Sequence, residues 1–488
     1  MNLILPKRGD ELVLVPDEID AEGLAVARID VTSPTERRRM RVKIRGAVPG
    51  DEVRARVESR VRDDLFARVA EVLRPSPDRT LARCRHARYD SERPYCGGCT
   101  LQAVSYERQL ALKAERVRRA FAATGVDLLV NETRPAPTVF GHRHKMELSF
   151  AADPEGEVAL GLHPPGYKWE VVSLAECPLL SARVSAFMPA LEAVFRGRGL
   201  RPWDPRRDDS FLRNLVVREG KRTDEVLIEL LTTPRDPVET NTGPMAARAL
   251  IVALSSNILA AADAHDVGLT SMLWTVQHAE RGRPTRFETT ALRGRAGLSE
   301  VLRVRGREIA LEIDARAFFQ PHPLAAEGLV DEVLTRLGAA HTVLDLYSGT
   351  GTLALAIAPF VARVVGVEIV PEAVENARAN AAKNGLAGAR FIAGDVGQVI
   401  ADAAFRADVG TPDAILCDPP RSGLSPQALD AVTALGAPRI VYVSCKPESL
   451  ARDLIALSER GYRPDAPAQP VDMFPQSHHV ETVVSLSR

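Results

Sequence analysis

From Thr342 onward the sequence alternates between short apolar runs and helical stretches, and this alternation limits the possible folds more than any other feature. The apolar runs contain few polar residues, which is typical of parallel strands that are covered on both faces. The stretches between them are long enough for helical crossover connections. We therefore predict a doubly wound α/β domain whose ligands bind at the carboxyl ends of its strands. The predicted strands are TVLDLYSG, RVVGVE, RFIAGD, DAILCDPP and RIVYVSC.

A glycine-containing turn, Asp345-Leu-Tyr-Ser-Gly-Thr-Gly351, follows the first of these strands and opens a helix. It has neither the third glycine of a dinucleotide loop nor the Lys-Ser/Thr of a phosphate loop. Glu368 ends the second strand, where a carboxylate accepts hydrogen bonds from ribose hydroxyls, and Asp395 ends the third, where it can bind an adenine amino group. These features favour S-adenosylmethionine over NAD or ATP. The alternative is that both acids only cap helices.

Two cysteines of this domain have contrasting surroundings. Cys445 lies at the carboxyl end of the fifth strand, next to Lys446 and before a helix that is expected to begin at Pro447. A helix N-terminus and a neighbouring cation predict a lowered thiol pKa, as a nucleophile requires. A buried structural thiol is the alternative for Cys445. Cys417 lies inside the apolar run AILC and is expected to be an inert core residue.

The segment Asp418-Pro-Pro-Arg421 ends the fourth strand. It differs from the motif of amino-group methyltransferases because Arg421 stands in place of the aromatic residue. An exocyclic amine can attack a methyl sulfonium directly, whereas C5 of uracil must first be activated by a nucleophile that adds at C6. A cysteine and a carboxylate supply that chemistry. Glu481 in the predicted last strand, HVETVVSL, is a candidate base, and a solvated surface carboxylate is the alternative.

Three of the six cysteines, Cys84, Cys96 and Cys99, lie within sixteen residues. Cys177, in Glu-Cys-Pro, is the remaining candidate for a fourth ligand. Four thiolates without histidine suit either tetrahedral zinc or an iron–sulfur cluster. A zinc ribbon would favour two C-x2-C pairs, and this chain has one.

The amino-terminal part is predicted to be a small β-barrel of about five strands, because short alternating segments are separated by turn signals. Between Arg28 and Arg62 eleven basic and five acidic residues give a net charge of +6. This favours contact with phosphates, although a solvated charged surface is the alternative. A predicted helix from Ser105 to Phe121, rich in arginine, forms a second basic surface. The region between Leu128 and Phe319 mixes strands and helices and indicates an α+β domain.

Taken together, the motifs resemble those of the uracil-5 RNA methyltransferases over nearly the whole chain. The matching segments are Phe318-Phe-Gln-Pro, the Asp345 turn, Asp418-Pro-Pro-Arg, Val443-Ser-Cys445 and His479-Val-Glu481-Thr-Val-Val. The resemblance implies that Cys445 is the nucleophile and that Glu481 removes the C5 proton. It implies a cofactor site that is lined by Gln320, Tyr347, Thr352, Glu368, Asp395 and Asp418. Three residues depart from the usual pattern of the family: His322, Thr352 and Lys446.

The same resemblance implies a multidomain architecture. Residues 1–75 would form an OB-like, TRAM-type β-barrel, residues 76–320 a central α+β domain with the cysteine cluster, and residues 321–488 a Rossmann-like class I methyltransferase domain. Cys84, Cys96, Cys99 and Cys177 would hold a 4Fe-4S cluster. The expected substrate is a uridine in RNA, flipped out of its stack, with 23S rRNA favoured over tRNA. The alternatives are a non-catalytic RNA-binding or ribosome-assembly protein and an amino-group methyltransferase.

The length of 488 residues suggests several domains. With 63 basic and 64 acidic residues, the chain is not a uniformly basic nucleic-acid coat protein. Six scattered cysteines and an amino terminus without an apolar core indicate a reducing, cytoplasmic location. No segment is expected to span a membrane, and no protein partner is implied.

Overall fold

The computed structural model describes residues 2–32, 37–89, 95–167, 169–204, 206–207, 209–280 and 282–488. Its first sheet has seven strands in the order β1-β4-β5-β7-β6-β2, with β3 paired to β4. The sequence predicted about five strands, and the two additional ones are only three and two residues long. Alternate side chains of the longer strands are buried over one core. The strands are β1 (Asn2–Ile4), β2 (Glu11–Leu14), β3 (Glu18–Ile19), β4 (Ala25–Thr32), β5 (Arg37–Arg45), β6 (Glu52–Val61) and β7 (Asp64–Arg74).

Many cations of this first sheet are paired with acids of the same sheet. Arg41 contacts Asp64 at 2.7 Å, and Lys43 lies 3.3 Å from the same carboxylate. Most of these pairs are solvent-exposed, and such pairs contribute little to stability. Their guanidinium groups therefore remain available to an external anion. Residues 33–36 of the basic segment lie outside the described part of the chain.

The arginine-rich segment forms α1 (Tyr106–Thr124), but the prediction that it is a basic surface is wrong for two of its cations. Lys113 is fully buried and pairs with the buried Asp472. Arg116 is also buried and lies 3.2 Å from Glu448. The helix packs against the carboxyl-terminal domain through Val117 and Phe121. Charge periodicity alone did not reveal these distant acidic partners.

A second seven-stranded sheet, in the order β10-β9-β8-β11-β12-β13-β14, forms the centre of the chain. Two helices pack on it and share its core. This is the mixed α and β organisation that the sequence predicts. The elements are β8 (Lys145–Ala152), β9 (Val158–Leu162), β10 (Val172–Ser173), α2 (Ala182–Ala193), β11 (Leu212–Glu219), β12 (Val226–Thr232), α3 (Ala247–Ala264), β13 (Leu269–His278) and β14 (Arg286–Arg293).

Helix α3 corrects the expectation that no segment is long and apolar enough to cross a membrane. Its 18 residues have a mean hydropathy of 1.3, which meets that requirement by length and composition. The apolar face with Leu250, Leu254 and Ile258 is buried in the core of the central sheet. A core helix therefore explains the apolar composition of this segment.

A hairpin of β15 (Gly297–Val304) and β16 (Arg307–Asp314) follows. Its buried residues Leu302, Ile309 and Ile313 share a core with α4 (Pro323–Leu337) and with the carboxyl-terminal sheet. Helix α4 begins at His322, whose Nδ1 accepts a hydrogen bond from the Ala325 amide at 3.2 Å. The imidazole thus caps this helix in the way that asparagine does.

The carboxyl-terminal sheet has eight strands in the order β19-β18-β17-β20-β21-β24-β22, with β23 paired to β24. Strands β17 to β21 are parallel and β24 is antiparallel. Separate cores cover the two faces, as the near-continuous apolar strands predict. The strands are β17 (Thr342–Leu346), β18 (Arg363–Glu368), β19 (Ala389–Ala393), β20 (Ala414–Cys417), β21 (Arg439–Ser444), β22 (Arg463–Pro464), β23 (Gln469–Val471) and β24 (Glu481–Ser487).

Six helices connect these strands, and four of them lie where the sequence predicts helices. Helices α7 and α8, of six and seven residues, were not predicted. The helices are α5 (Thr352–Ile357), α6 (Pro371–Lys383), α7 (Val396–Ala401), α8 (Ala403–Val409), α9 (Pro426–Ala434) and α10 (Pro447–Glu459), and Arg85–Ala87 and Ala358–Phe360 form 3-10 turns.

Candidate active site

A cavity of about 790 Å³ opens at the carboxyl ends of β17, β18 and β20. Strand β17 lies between β18 and β20, so the chain direction across the sheet reverses at this point. Ligands of open α/β sheets bind at such switch points. Five of the six predicted cofactor residues line the cavity: Gln320, Tyr347, Thr352, Glu368 and Asp418.

The turn after β17 has the backbone geometry that its glycines suggest. Gly351 has a φ of 77°, and a Cβ atom there would lie 2.8 Å from the Phe391 ring. Tyr347 also has a positive φ, 62°, which is rare for a bulky residue and marks a constrained site. Glu368 accepts a hydrogen bond from the Gly349 amide at 3.0 Å. The turn is thus fixed against the acid that is predicted to bind ribose.

Asp395 is the one predicted cofactor residue that does not line this cavity. Its exposed carboxylate caps α7 by accepting a hydrogen bond from the Gln398 amide at 3.1 Å. For Asp395 the structure therefore provides the helix-capping role that was the alternative interpretation. A contact with adenine stays a prediction.

Residues that sequence reasoning did not select complete the cavity. Phe287 comes from β14 of the central sheet, and the Arg316 guanidinium lies 3.4 Å from the centroid of its ring. Phe318 lines the cavity with 70% of its surface exposed. Asp345 is buried, and burial together with Asp418 and Glu368 raises the pKa of its carboxyl well above the usual value. Of these residues, Phe318 could have been selected from the sequence, because it belongs to the Phe-Phe-Gln-Pro motif.

The wall therefore fits a nucleoside with a positively charged substituent. Glu368 offers a carboxylate at the end of the second strand, and Gly349 of the turn brings backbone without a side chain to the cavity wall. The apolar side chains of Phe287, Phe318 and Val370 are suitable neighbours for a flat base. Asp345 and Asp418 add two acidic groups that favour a cationic ligand.

The two predicted catalytic residues lie on neighbouring antiparallel strands. Ser444 at the end of β21 pairs with Thr482 in β24. Continuation of this register by one residue places Cys445 opposite Glu481. Asp418 lines the cofactor cavity, and its charge also raises the pKa of both Cys445 and Glu481. Cys445 and Glu481, the predicted nucleophile and the predicted base, therefore lie beside the cofactor cavity.

The predicted lowered pKa of Cys445 is wrong. Burial, with the charges of Glu481 and Asp418, raises the pKa of this half-buried thiol to about 11. Arg421 hydrogen-bonds to the sulfur and opposes the increase only in part. Helix α10 does begin at Pro447, as predicted, but the two carboxylates and burial outweigh the helix N-terminus. Cys417 is a fully buried core residue, as predicted.

Glu481 is a buried carboxylate, and its Oε2 has no hydrogen-bond partner among the described residues. Burial and the nearby Asp418 raise the pKa of its carboxyl well above the usual value. A high pKa makes the ionised group a stronger proton acceptor. An unpartnered buried oxygen next to a cysteine is an arrangement that functional sites tolerate and structural cores avoid.

The loop between β23 and Glu481 is held by the segment that contains the clustered cysteines and by α1. The Leu101 amide donates to the Gln476 carbonyl at 3.0 Å, and Thr100 Oγ1 lies 3.1 Å from His478 Nδ1. Tyr106 donates to Asp472 at 2.9 Å. Residues from a distant part of the sequence thus position the strand that begins at Glu481.

The four predicted ligand cysteines are free thiols. Cys96 and Cys177 belong to the core of the central sheet, and Cys99 packs against it. Burial and the charges of Cys96 and Cys84 raise the pKa of Cys177 to about 12. Burial and the other three thiols raise the pKa of Cys99 further. All four donors have the chemistry that iron and zinc require. However, no group of three or more metal-binding side chains in the described ranges is arranged to hold a metal ion.

A cavity at the switch point of a mostly parallel sheet, with an antiparallel last strand, defines a ligand-binding α/β domain. Residues 281–488 match the family model described as tRNA (Uracil-5-)-methyltransferase. The chain belongs to the S-adenosylmethionine-dependent uracil-5 RNA methyltransferase family and is, by that membership, an RNA methyltransferase.

Relatives match nearly the full length of the chain. An uncharacterized RNA methyltransferase of Clostridium tetani is 32% identical over 99% of this chain and 98% of its own length. One of Gloeobacter violaceus is 35% identical over 91% of each chain. The crystal structure of Pyrococcus abyssi tRNA (uracil-54, C5)-methyltransferase with S-adenosyl-L-homocysteine has 26% identity and a TM-score of 0.69, and the match covers 98% of this chain and 100% of that one.

Proposed function

We propose that this protein transfers a methyl group from S-adenosylmethionine to C5 of a specific uridine in RNA, with Cys445 as nucleophile and Glu481 as base. The observation that carries the proposal is the register of β21 and β24, which places Cys445 opposite Glu481, a buried carboxylate whose Oε2 has no hydrogen-bond partner among the described residues. Asp418 connects this pair to the cofactor cavity, because its charge acts on both residues. The bound cofactor supplies an electrophilic methyl group on a sulfonium.

The residues of the chain divide the reaction into addition and elimination. The Cys445 thiol loses its proton to solvent, and the thiolate forms a bond to C6. The C5–C6 double bond breaks and its electron pair makes C5 nucleophilic. Arg421, which hydrogen-bonds to the sulfur, stabilises the thiolate before attack. After C5 has gained the methyl group, Glu481 takes the C5 proton. The electron pair re-forms the C5–C6 double bond, and Cys445 leaves as thiolate.

Two substitutions separate these steps. Cys445→Ala is expected to abolish both methylation and the covalent complex with RNA that contains 5-fluorouridine. Glu481→Gln is expected to form a methylated covalent adduct with ordinary RNA but to release it slowly, because no base removes the C5 proton. Adducts are measured by denaturing electrophoresis and methylation by transfer of labelled methyl groups. Cys417→Ala is the control and should retain both activities.

Normal turnover by the Cys445→Ala variant would contradict this mechanism. It would favour direct attack on the methyl group by an exocyclic amine, as in an amino-group methyltransferase. A wild-type protein that binds RNA and never methylates it would instead support a non-catalytic assembly role.

We propose 23S rRNA as the substrate, with tRNA as the alternative. An amino-terminal barrel of TRAM type together with clustered cysteines supports the ribosomal substrate. The similarity to the Pyrococcus abyssi tRNA enzyme supports the alternative. The decisive measurement maps 5-methyluridine in both RNAs from a deletion strain and its complemented parent. Loss of one 5-methyluridine from tRNA, with rRNA unchanged, would assign the alternative.

We also propose a 4Fe-4S cluster on Cys84, Cys96, Cys99 and Cys177 and a cytoplasmic location. The mutual effect of the thiols on their pKa values supports a shared site. Protein purified without oxygen should contain about four irons per chain if all four cysteines are ligands. Cys177→Ser should lose the visible absorption, and Cys417→Ser should keep it. Iron-free wild-type protein would contradict the cluster.

A further inference from the structure

A second large cavity, of about 770 Å³, lies in the central domain. It shares no lining residue with the cofactor cavity. It opens beside β8, β9 and β11, and two of the three tryptophans of the chain stand on its wall. Trp169 is 61% exposed and Trp203 is 38% exposed. Tryptophan is highly buried on average, so two exposed indoles at one cavity need an explanation.

The two indoles face a common space. Their ring centroids are 6.3 Å apart and their planes are inclined by 36°. The Arg213 guanidinium lies 4.3 Å from the centroid of the Trp203 ring. This group has a buried Nε without a hydrogen-bond partner among the described residues. Aromatic rings and a stacked guanidinium plane are the surfaces on which unpaired nucleobases stack.

Further arginines border the same cavity. Arg206 pairs with Asp204 at 2.8 Å, and Arg207 pairs with Asp209 at 2.8 Å, and all four groups retain solvent exposure. Exposed pairs of this kind are weak, so a phosphate can replace the carboxylate on either guanidinium. The acids keep the local charge moderate, and stacking is therefore the main source of affinity.

Strand β11 connects this cavity to the cofactor cavity. Arg213 stands at one end of the strand, and Arg218 at the other end donates to the carbonyl of Ala317 at 2.7 Å. Ala317 lines the cofactor cavity. Five residues of strand span roughly 17 Å, which is short enough for one RNA loop to reach both cavities.

We propose that Trp169, Trp203 and Arg213 form a second nucleobase-binding site, which stacks an unpaired base of the substrate RNA that lies near the target uridine. The inference rests on the proposed function only in taking RNA as the ligand. The site has no part in the chemical step. It holds the loop open by stacking one base while the target base enters the catalytic pocket.

The test compares two fluorescein-labelled probes of equal length and charge: a 20-nucleotide single-stranded RNA of mixed sequence and a 20-mer abasic ribose-phosphate strand. Wild-type protein should bind the base-containing strand more tightly. The double variant Trp169→Ala/Trp203→Ala should bind it about 5- to 150-fold more weakly, which is the loss expected for one base–aromatic stack. Its affinity for the abasic strand should be unchanged. Trp169→Phe/Trp203→Phe, which keeps two aromatic faces, should recover most of the affinity.

Trp274 provides the matched control. Its indole donates to Thr232 Oγ1 at 2.9 Å and does not line the cavity, so Trp274→Phe should bind both probes as wild type does. Equal affinity of the wild type for the two probes would overturn the proposal. An Ala variant whose affinity falls equally for both probes would also overturn it, since that result indicates loss of folding or of charge. The Cys445→Ala variant should keep the base preference, so failure of the methylation mechanism leaves this test intact.

Discussion

At the scale of single residues, the positions of the reactive groups could be predicted from the sequence and their protonation could not. Cys445 and Glu481 stand at the ends of strands whose apolar pattern is clear. The pKa of the thiol depends on burial and on carboxylates from β20 and β24. Those neighbours are set by strand order, which local sequence does not encode.

The raised pKa of Cys445 has a measurable consequence. Only the thiolate reacts with iodoacetamide, so alkylation of Cys445 should be slow at pH 7.5 and should increase about tenfold per pH unit up to its pKa of about 11. Mass spectrometry of the peptide that contains Cys445 gives the rate. Arg421→Met should slow alkylation further, because it removes the cation that stabilises the thiolate. A rate that levels off below pH 8 would indicate a lowered pKa and contradict the structure.

At the scale of elements, helix α1 is the clearest difference between expectation and structure. Its basic residues suggested a surface for phosphates. Lys113 and Arg116 instead contact Asp472 and Glu448, which follow them by more than three hundred residues. Local periodicity predicted the helix correctly. It could not predict which distant residues contact each face, because those contacts depend on long-range packing. The edge strand β14 was missed for a related reason, since its side chains are mostly exposed and show no alternation.

The buried pair of α1 leads to a prediction for stability. Lys113→Met leaves Asp472 buried without its cation, and breaking such a pair destabilises a protein by about 3–5 kcal/mol. Methylation should fall as well, because Asp472 lies in the loop that leads to Glu481. Arg118→Met on the exposed side of the same helix is the control and should change the free energy of unfolding by less than about 0.5 kcal/mol.

Urea unfolding and initial methylation rates measure both effects. Lys113→Met/Asp472→Leu should recover part of the lost stability, because no buried charge is then left unpaired. Unchanged stability of the single Lys113→Met variant would show that Asp472 finds another partner.

At the scale of the whole molecule, the overall composition does not show where basic and acidic groups are concentrated. A net charge of -1 combines a basic segment of the first sheet with acidic groups around the cofactor cavity. The parallel order of β17 to β21 could be predicted because each strand is apolar throughout. The tryptophan cavity could not, because Trp169 and Trp203 meet only after β8, β9 and β11 have paired.

The hydrogen bonds and ion pairs between residues 100–116 and the loop of residues 472–478 suggest that the protein can be divided into two polypeptides. The turn Asp153–Gly156 is exposed and lies between these two segments in the chain. If the chain is made as two polypeptides, 1–154 and 155–488, then α1 of the first still binds the loop of residues 472–478 of the second. Strand β8 also still pairs with β9 and β11. Co-expressed pieces should therefore purify together and methylate RNA. The 155–488 piece alone carries all the proposed catalytic and cofactor-binding residues but lacks α1, which holds the loop before Glu481, and should methylate much more slowly. This protein is then a candidate for a split enzyme that reports when two fused partners meet.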